Sequence, residues 1–379
     1  MMLVQMIDEA SHLSRKPRVL FILQGVHHLK LYENVLKACH EFQWICFLPG
    51  LPRDDAEINA YYTLYGVRFF SDRYAALAHF ADIDAVVTTW GVPHRKHLPY
   101  LDFLALAYEL GIPVFELQHG LFQIGLTYQE EAAVVGSRTG AATALPGARN
   151  FARNALTWSG KEGVGYPRAY GSACSDEPQA QPYKEQVAFL TNHHWAVLGE
   201  DERVNCYTIM RDTIAAFPAV DFVLLPHHGE LKLKAFTNMM SDLSRIEARN
   251  FRIETARDKK SYDDLLATSN LLVGSLSTTI LDCEISGTPT VVFRNPSQER
   301  LLSSFRKVVS FSTSIELQSI VEDVLYKGYR PELVTGSAEP FQPLRLVERL
   351  GAAIAGRRRA SMQKAVAAIA RYCGPPLAS

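Results

Sequence analysis

Cysteine is scarce and unpaired in this sequence: Cys39, Cys46, Cys174, Cys206, Cys283 and Cys373 stand apart, with no C-x-x-C pair and no histidine at zinc spacing. That excludes a zinc ribbon or finger and a disulfide-stapled secreted domain, and it fits a reducing compartment. Net charge is nearly absent, at −1 over 379 residues. No global field recruits a polyanion, so nucleic acid is not an expected partner. No apolar run reaches the roughly 18 residues of a spanning helix. The opening MMLVQMIDEASHLSRKP lacks the basic-then-apolar order of a signal peptide, so the expected location is the cytoplasm. Also missing after every predicted strand are G-x-G-x-x-G, G-x-x-x-x-G-K-[ST] and G-x-S-x-G. Their absence argues against a dinucleotide site, a P-loop and a serine hydrolase.

What is present is a long, core-rich chain with 47% hydrophobic and 21% charged residues, enough for two domains. Apolar, β-branched runs at 18–24, 44–48, 67–70, 85–89 and 114–117 alternate with helically spaced segments such as 29–42 and 100–110. A polar, glycine-containing stretch over 127–154 reads as a long loop or lid. The Pro-rich stretch 172–183 reads as a linker. The alternation then resumes, with strands at 187–191, 221–225, 251–254, 271–274, 290–293 and 308–311. Strands alternating with helices predict two doubly wound parallel α/β sheets. The expected division is 1–178, 179–340 and a basic helical segment 341–379.

In such sheets ligands bind beyond the carboxyl ends of the strands, so the turns there hold the candidates. The first half offers Gly25-Val26-His27-His28, the turn Trp90 to His94, and Gln118-His119-Gly120, where FELQHG sets Glu116 and His119 three residues apart at a strand end. Gly120 permits close backbone approach. The second half offers Pro226-His227-His228-Gly229-Glu230 and the turn Gly274 to Thr279. In the latter, Ser275, Ser277, Thr278 and Thr279 gather where a strand ends and a helix begins, a place suited to a phosphate or carboxylate. A plainer expectation is that Ser277 only caps the helix.

Two further features need a reading. Asp82-Ile83-Asp84 matches the D-x-D pattern that can hold a divalent metal. Its context reads as a solvated loop, and neither a metal nor a cofactor is expected. The segment 341–379 carries Arg345, Arg349, Arg357, Arg358, Arg359, Lys364 and Arg371 against Glu348, a local charge of +6. It reads as a helix packed across the domains, or as a basic amphipathic helix that would hold the protein peripherally at the inner membrane face.

Two doubly wound domains, a histidine turn after a strand of the second (LLPHHGE) and a Ser/Thr turn further on (GSLSTT) resemble the GT-B glycosyltransferases of bacterial surface polysaccharide and lipopolysaccharide or capsule synthesis. Bacterial sialyltransferases, Kdo transferases and CDP-glycerol glycerophosphotransferases are the nearest likenesses, over most of residues 18–312. The resemblance implies a GT-B-like fold, two Rossmann-like domains facing a central cleft, with a nucleotide-activated sugar donor, CMP-linked in some of these families. It implies a saccharide or lipid-linked acceptor on the N-terminal domain. His227 or His228, with Ser275, Ser277, Thr278 and Thr279, would grip the donor phosphate, and His119-Gly120 would lie near the acceptor, with Gly25, His27 and His94 as further acceptor-side candidates. Pro226 precedes the histidines here, where the family has proline after, and the family's acidic pair followed by glycine is missing.

The chemistry then expected is metal-independent displacement at the activated carbon. His119, or Glu116 behind it, would serve as general base, and the second-domain turns would stabilise the departing phosphate. Three rivals stand beside it: a nucleotide-sugar 2-epimerase of similar architecture, a CDP-glycerol-type glycerophosphotransferase, and a non-catalytic two-domain binding protein.

Overall fold

The computed structural model describes residues 15–49, 56–89, 98–121, 123, 154–169, 185–194, 198–227, 229–245, 248–254 and 259–373. By compactness the chain divides into two units. One comprises Met1–His119, Gln123–Tyr170 and Phe341–Ser379, and the other comprises Gly120–Phe122 and Gly171–Pro340. This differs from the break at 178/179 and the separate segment 341–379 read from the sequence. The linker 172–183 and nearly all of the loop 127–154 lie outside the described residues.

Unit one runs β1 (Arg18–Ile22), α1 (Val26–Leu31), α2 (Glu33–Ala38), β2 (Gln43–Phe47), α3 (Ala56–Tyr65), β3 (Arg68–Phe70), α4 (Arg73–Ala78), β4 (Ala85–Thr88), α5 (Leu98–Glu109), β5 (Val114–Leu117) and β6 (Asn154–Leu156). All pairings are parallel, in the order β3-β2-β1-β4-β5-β6. Strand alternation sends Val19 and Phe21 into one core and Leu20 and Ile22 into the other, so both faces are covered. The single helix expected over 29–42 is instead two, meeting at Tyr32.

Unit two repeats the plan with β7 (Gln186–Thr191), α6 (Glu200–Ala216), β8 (Asp221–Pro226), α7 (Lys234–Arg245), β9 (Phe251–Ile253), α8 (Lys259–Thr268), β10 (Leu271–Gly274), α9 (Thr279–Ser286), β11 (Thr290–Phe293), α10 (Glu299–Leu302), β12 (Val309–Phe311) and α11 (Ser314–Lys327). Its order is β12-β11-β10-β7-β8-β9, again all parallel. In both sheets the first strand of the unit lies between its second and its fourth. The direction of winding therefore reverses beside β1 and beside β7, and such reversals open a crevice at the carboxyl ends of the strands. Val187 and Phe189 enter one core, and Ala188 and Leu190 the other.

The last helix, α12 (Pro343–Cys373), belongs to unit one. Phe341, Leu346, Leu350 and Ile354 join the core that holds Val19 and Phe21. Four of its arginines also meet that unit. Arg345 donates to Gly163 O, Arg349 to Ala155 O and Glu162 O, Arg357 to Ile83 O, and Arg358 pairs with Asp84 at 2.9 Å. The reading of 82–84 as a solvated loop is thereby corrected for Asp84. It is buried, takes Arg15 and Arg358 as ion partners, and accepts the Arg18 backbone N–H. Asp82 pairs with Arg18 at 2.7 Å. Carboxylates neutralised by guanidinium groups are poor metal ligands. Among the described residues no group of three or more His, Cys, Asp or Glu side chains is arranged to hold an ion, and no helix is long and apolar enough to cross a membrane.

Candidate functional site

Unit two brings three turns side by side at its reversal point. Parallel register sets Thr191 opposite Pro226 and Leu190 opposite Gly274, and the Ser275 N–H continues the ladder to Leu190 O at 3.0 Å. The turns after β7, β8 and β10 therefore leave the sheet at one level. They carry Asn192, His193 and His194; His227, Gly229 and Glu230; and Ser275 to Thr279.

The hydroxyl turn is not consumed by capping. The N-cap of α9 is Thr278, not Ser277, and it makes no side-chain cap bond. Its hydroxyl accepts the N–H of Leu121, a residue that groups with unit two, at 3.3 Å. Ser275 is buried, yet its Oγ has no hydrogen-bond partner among the described residues, and Asn192 Oδ1 and both ring nitrogens of His193 share that condition. Buried polar atoms are normally satisfied within the protein or by water or a ligand. Three such residues lie together in the turns at the ends of β7 and β10. Gly274 lets α9 close onto the strand, since a Cβ there would meet Ile280 Cδ1 at 2.4 Å.

The β8 turn is held tightly. The His227 N–H donates to Glu230 Oε1 at 3.0 Å, and the Gly229 N–H donates to His227 Nδ1 at 3.1 Å. A backbone N–H can only donate, so Nδ1 is the acceptor and the ring proton of neutral His227 sits on Nε2. The His194 ring stacks on His227 with centroids 3.9 Å apart and planes 6° from parallel. Gly229 makes room for this, because a Cβ there would come within 2.5 Å of His194 Cδ2. His228, the alternative ligand in the sequence reading, lies outside the described residues. Glu230 is fully buried and accepts from Thr191 Oγ1 at 2.9 Å and Tyr207 Oη at 2.7 Å.

Unit one has its own cluster at the reversal between β1 and β4. His28 Nδ1 lies 3.3 Å from the Gln24 N–H and 3.3 Å from Thr89 Oγ1, so here too the backbone donor assigns the ring proton to Nε2. The His27 and His119 rings flank it, with centroids 4.2 and 5.0 Å away. Gln123 ties the group together: its Nε2 donates to Glu116 Oε1 at 2.7 Å and to Thr89 O at 3.3 Å, while its Oε1 accepts the His119 N–H at 2.8 Å. Burial pushes His119 down to about 4, partly offset by its bond to the Thr89 carbonyl and reinforced by the charge of His27. A base near the ordinary imidazole value was expected; His119 is a weaker base that stays neutral far below pH 7. Gly25 leaves space for His27, whose ring a Cβ would approach to 2.8 Å.

Of the residues read from the sequence, Gly25, His27, Glu116 and His119 come together in unit one, and His227 with Ser275 to Thr279 in unit two. Gly120 groups with unit two by its contacts, and His94 lies outside the described residues. The sequence reading passed over Thr89 and Gln123, whose side chains are unremarkable in sequence, and Asn192, His193 and His194. TNHH after the strand VAFLT has the same grammar as the other histidine turns and could have found the last three. The thiols of Cys39 and Cys206 are buried and pushed up to about 12, which removes them as nucleophiles.

No family model and no curated protein matches the sequence. Solved structures do match. UDP-GlcNAc 2-epimerase of Neisseria meningitidis bound to UDP-GlcNAc aligns with a TM-score of 0.58 at 11% identity, over 88% of this chain and 99% of that one. The UDP-GlcNAc 2-epimerase of Methanocaldococcus jannaschii, in complex with UDP-GlcNAc and UDP, aligns at 0.57 and 12% identity over 88% and 99%. HepE of Anabaena, in complex with UDP and glucose, aligns at 0.54 and 12% identity over 90% and 100%. The chain has the GT-B fold. At these identities the likeness establishes the architecture of two Rossmann-like units and nothing finer.

Proposed function

We propose that the protein is an enzyme acting on a nucleotide-activated sugar, with the nucleotide diphosphate held by the turns after β7, β8 and β10 of unit two. The observation that carries this reading is the set of unsatisfied polar atoms on Asn192, His193 and Ser275 at the reversal point, beside a turn with further hydroxyls and an imidazole fixed as an Nε2–H donor. The Ser275 hydroxyl and the imidazoles of His193 and His227 can donate to the oxygens of a phosphate, while Asn192 Oδ1 can accept from a ligand hydroxyl. Fold-mates solved with UDP or UDP-sugars make UDP-linked donors the first to try, ahead of the CMP-linked class.

The reaction we favour is glycosyl transfer to a hydroxyl acceptor, with acid–base chemistry from the His28, His119 and Glu116 cluster and no metal. The three fold-mates named above favour neither a sialyltransferase nor a Kdo transferase in particular. A second reading, 2-epimerisation of the sugar itself, is favoured by the recurrence of UDP-GlcNAc 2-epimerases among those fold-mates. Incubating the protein with UDP-GlcNAc and no acceptor separates the two. An epimerase converts the sugar at C2, with solvent deuterium entering there, whereas a transferase leaves the donor intact apart from slow hydrolysis.

A further inference from the structure

Glu230 has no exposed surface, and its donors, the hydroxyls of Thr191 and Tyr207 and the backbone N–H groups of His227 and His193, are all neutral. His193, also without exposed surface, holds Nδ1 3.7 Å from Glu230 Oε2, and neither of its ring nitrogens has a hydrogen-bond partner among the described residues. Its ring stands edge-on between Tyr207 and Phe293, at 5.1 and 5.0 Å. Titratable neighbours come from the β8 turn, where His227 meets Glu230 through its backbone and stacks on His194, and from α6, which supplies Tyr207 and the following groups. Arg203 is engaged with His193 O at 2.8 Å and with Glu200, Glu202 holds the Gly199 N–H, and Cys206 bonds Asn295. The carboxyl group is therefore buried with an imidazole beside it and, among the described residues, with no Lys or Arg ion partner.

Each of the two groups resists its charged form. Burial raises Glu230, against the pull of the hydrogen bonds from Tyr207, the His227 N–H, Thr191 and the His193 N–H. Burial lowers His193 to about 3, with Arg203 adding to the effect. Both residues belong to the turns assigned to the diphosphate: Glu230 fixes the His227 backbone and the Thr191 hydroxyl, and His193 follows Thr191 in the chain. Negative charge docking on those turns raises the proton affinity of both. A proton arriving from solvent lands on the carboxyl group or on His193, and at this separation the two placements are one macroscopic titration.

We propose that Glu230 and His193 act as a single couple that takes up one proton when an anionic nucleotide docks on unit two, with Glu230 as the positioning residue of the anion site. This rests on the reading of unit two as the nucleotide-holding half. By linkage, a ligand that brings one proton binds more tightly as pH falls, by up to about tenfold per pH unit.

Calorimetry in buffers of differing ionisation enthalpy counts the proton. The probe is UDP-GlcNAc, or, where it gives no heat, whichever of the CDP-, CMP- and GDP-linked sugars binds; none of these esters titrates between pH 5 and 8. The native protein should show uptake approaching one proton at its maximum in that range. Glu230→Gln should bind with no uptake and a flat pH dependence. Tyr207→Phe keeps the ring and removes a donor that lowers the carboxyl, so the uptake maximum should move to higher pH; this variant decides the matter if Glu230→Gln does not fold. Binding by the native protein without proton exchange, or uptake unchanged in a folded variant, overturns the couple while leaving the nucleotide site intact. If none of the nucleotide sugars binds, the reading of unit two fails and the couple fails with it.

Discussion

His119 shows how far environment moves a residue from its ordinary chemistry. At about 4 it is neutral at pH 7 and a weak base. If it takes the acceptor proton, activity is lost only as pH falls through about 4, since a base must be unprotonated to act. The kcat/KM profile should then be flat from pH 8 down to about 5, and His119→Asn should lower kcat by roughly 10² to 10⁴ with donor affinity unchanged. An acid limb near 6.5 would transfer the role to a more ordinary imidazole. His193 predicts a stability effect. Its folded-state value of about 3 lies below the unfolded one, so above about 6.5 both states are neutral and nothing is lost. As pH falls from there toward 3 only the unfolded state gains the proton, and stability drops by at most about 1.4 kcal/mol per pH unit. Glu230, raised in the fold, acts with opposite sign: stability tied to it is lost as pH rises through its folded value. Urea unfolding at pH 7, 6 and 5 should therefore show less acid loss in His193→Phe than in the native protein, and an equal slope in both would contradict the assignment.

At the scale of elements, α12 is the clearest case of a segment whose role is set by packing. Its charge and alanine content suggested a helix packed across the domains with its arginines solvated, or a basic helix at a membrane face, but Leu346, Leu350 and Ile354 complete the core of unit one, and Arg358 meets the buried Asp84. Leu350→Ala should cost about 2 to 5 kcal/mol, the range for emptying a leucine site in a core. Asp84→Ala should cost about 3 kcal/mol, because it strands Arg15 and Arg358 around a site built for a carboxylate. Equilibrium unfolding followed by unit-one tryptophans such as Trp44 and Trp158 measures both. The same ion pairs bear on metal. With Asp82 and Asp84 held by arginines, turnover should survive EDTA, and restoration by Mg²⁺ or Mn²⁺ after chelation would contradict the account.

Over the whole molecule, the architecture was legible because every central strand is a short apolar run ending in Gly, Pro or a polar turn. Val114–Leu117, Leu271–Gly274 and Thr290–Phe293 can be read to the residue. The parallel alternation directs attention to the turns after β1, β5, β8 and β10 before any side chain is placed, while the turn after β7, which sits at the reversal point, went unread. Less legible was whatever depends on long-range contact. Nothing local in Asp84 announces Arg15 and Arg358, nothing in Gln123 announces its bridge from Glu116 to His119, and nothing in Phe341–Ile354 says which unit it will complete. The unsatisfied Ser275 hydroxyl is likewise a property of the folded turn, where the cap falls on Thr278 and leaves Ser275 unengaged.

The central claim, that unit two holds the nucleotide at the ends of β7 and β10, is tested most directly by titrating UDP-GlcNAc and its CDP-, CMP- and GDP-linked counterparts into the native protein, Ser275→Ala and His119→Asn by calorimetry. The account predicts that the preferred nucleotide loses about 1 to 3 kcal/mol of binding in Ser275→Ala, the scale of a hydrogen bond to a charged group, and keeps its affinity in His119→Asn. Unchanged affinity in Ser275→Ala together with lost affinity in His119→Asn would contradict it and move the nucleotide to unit one.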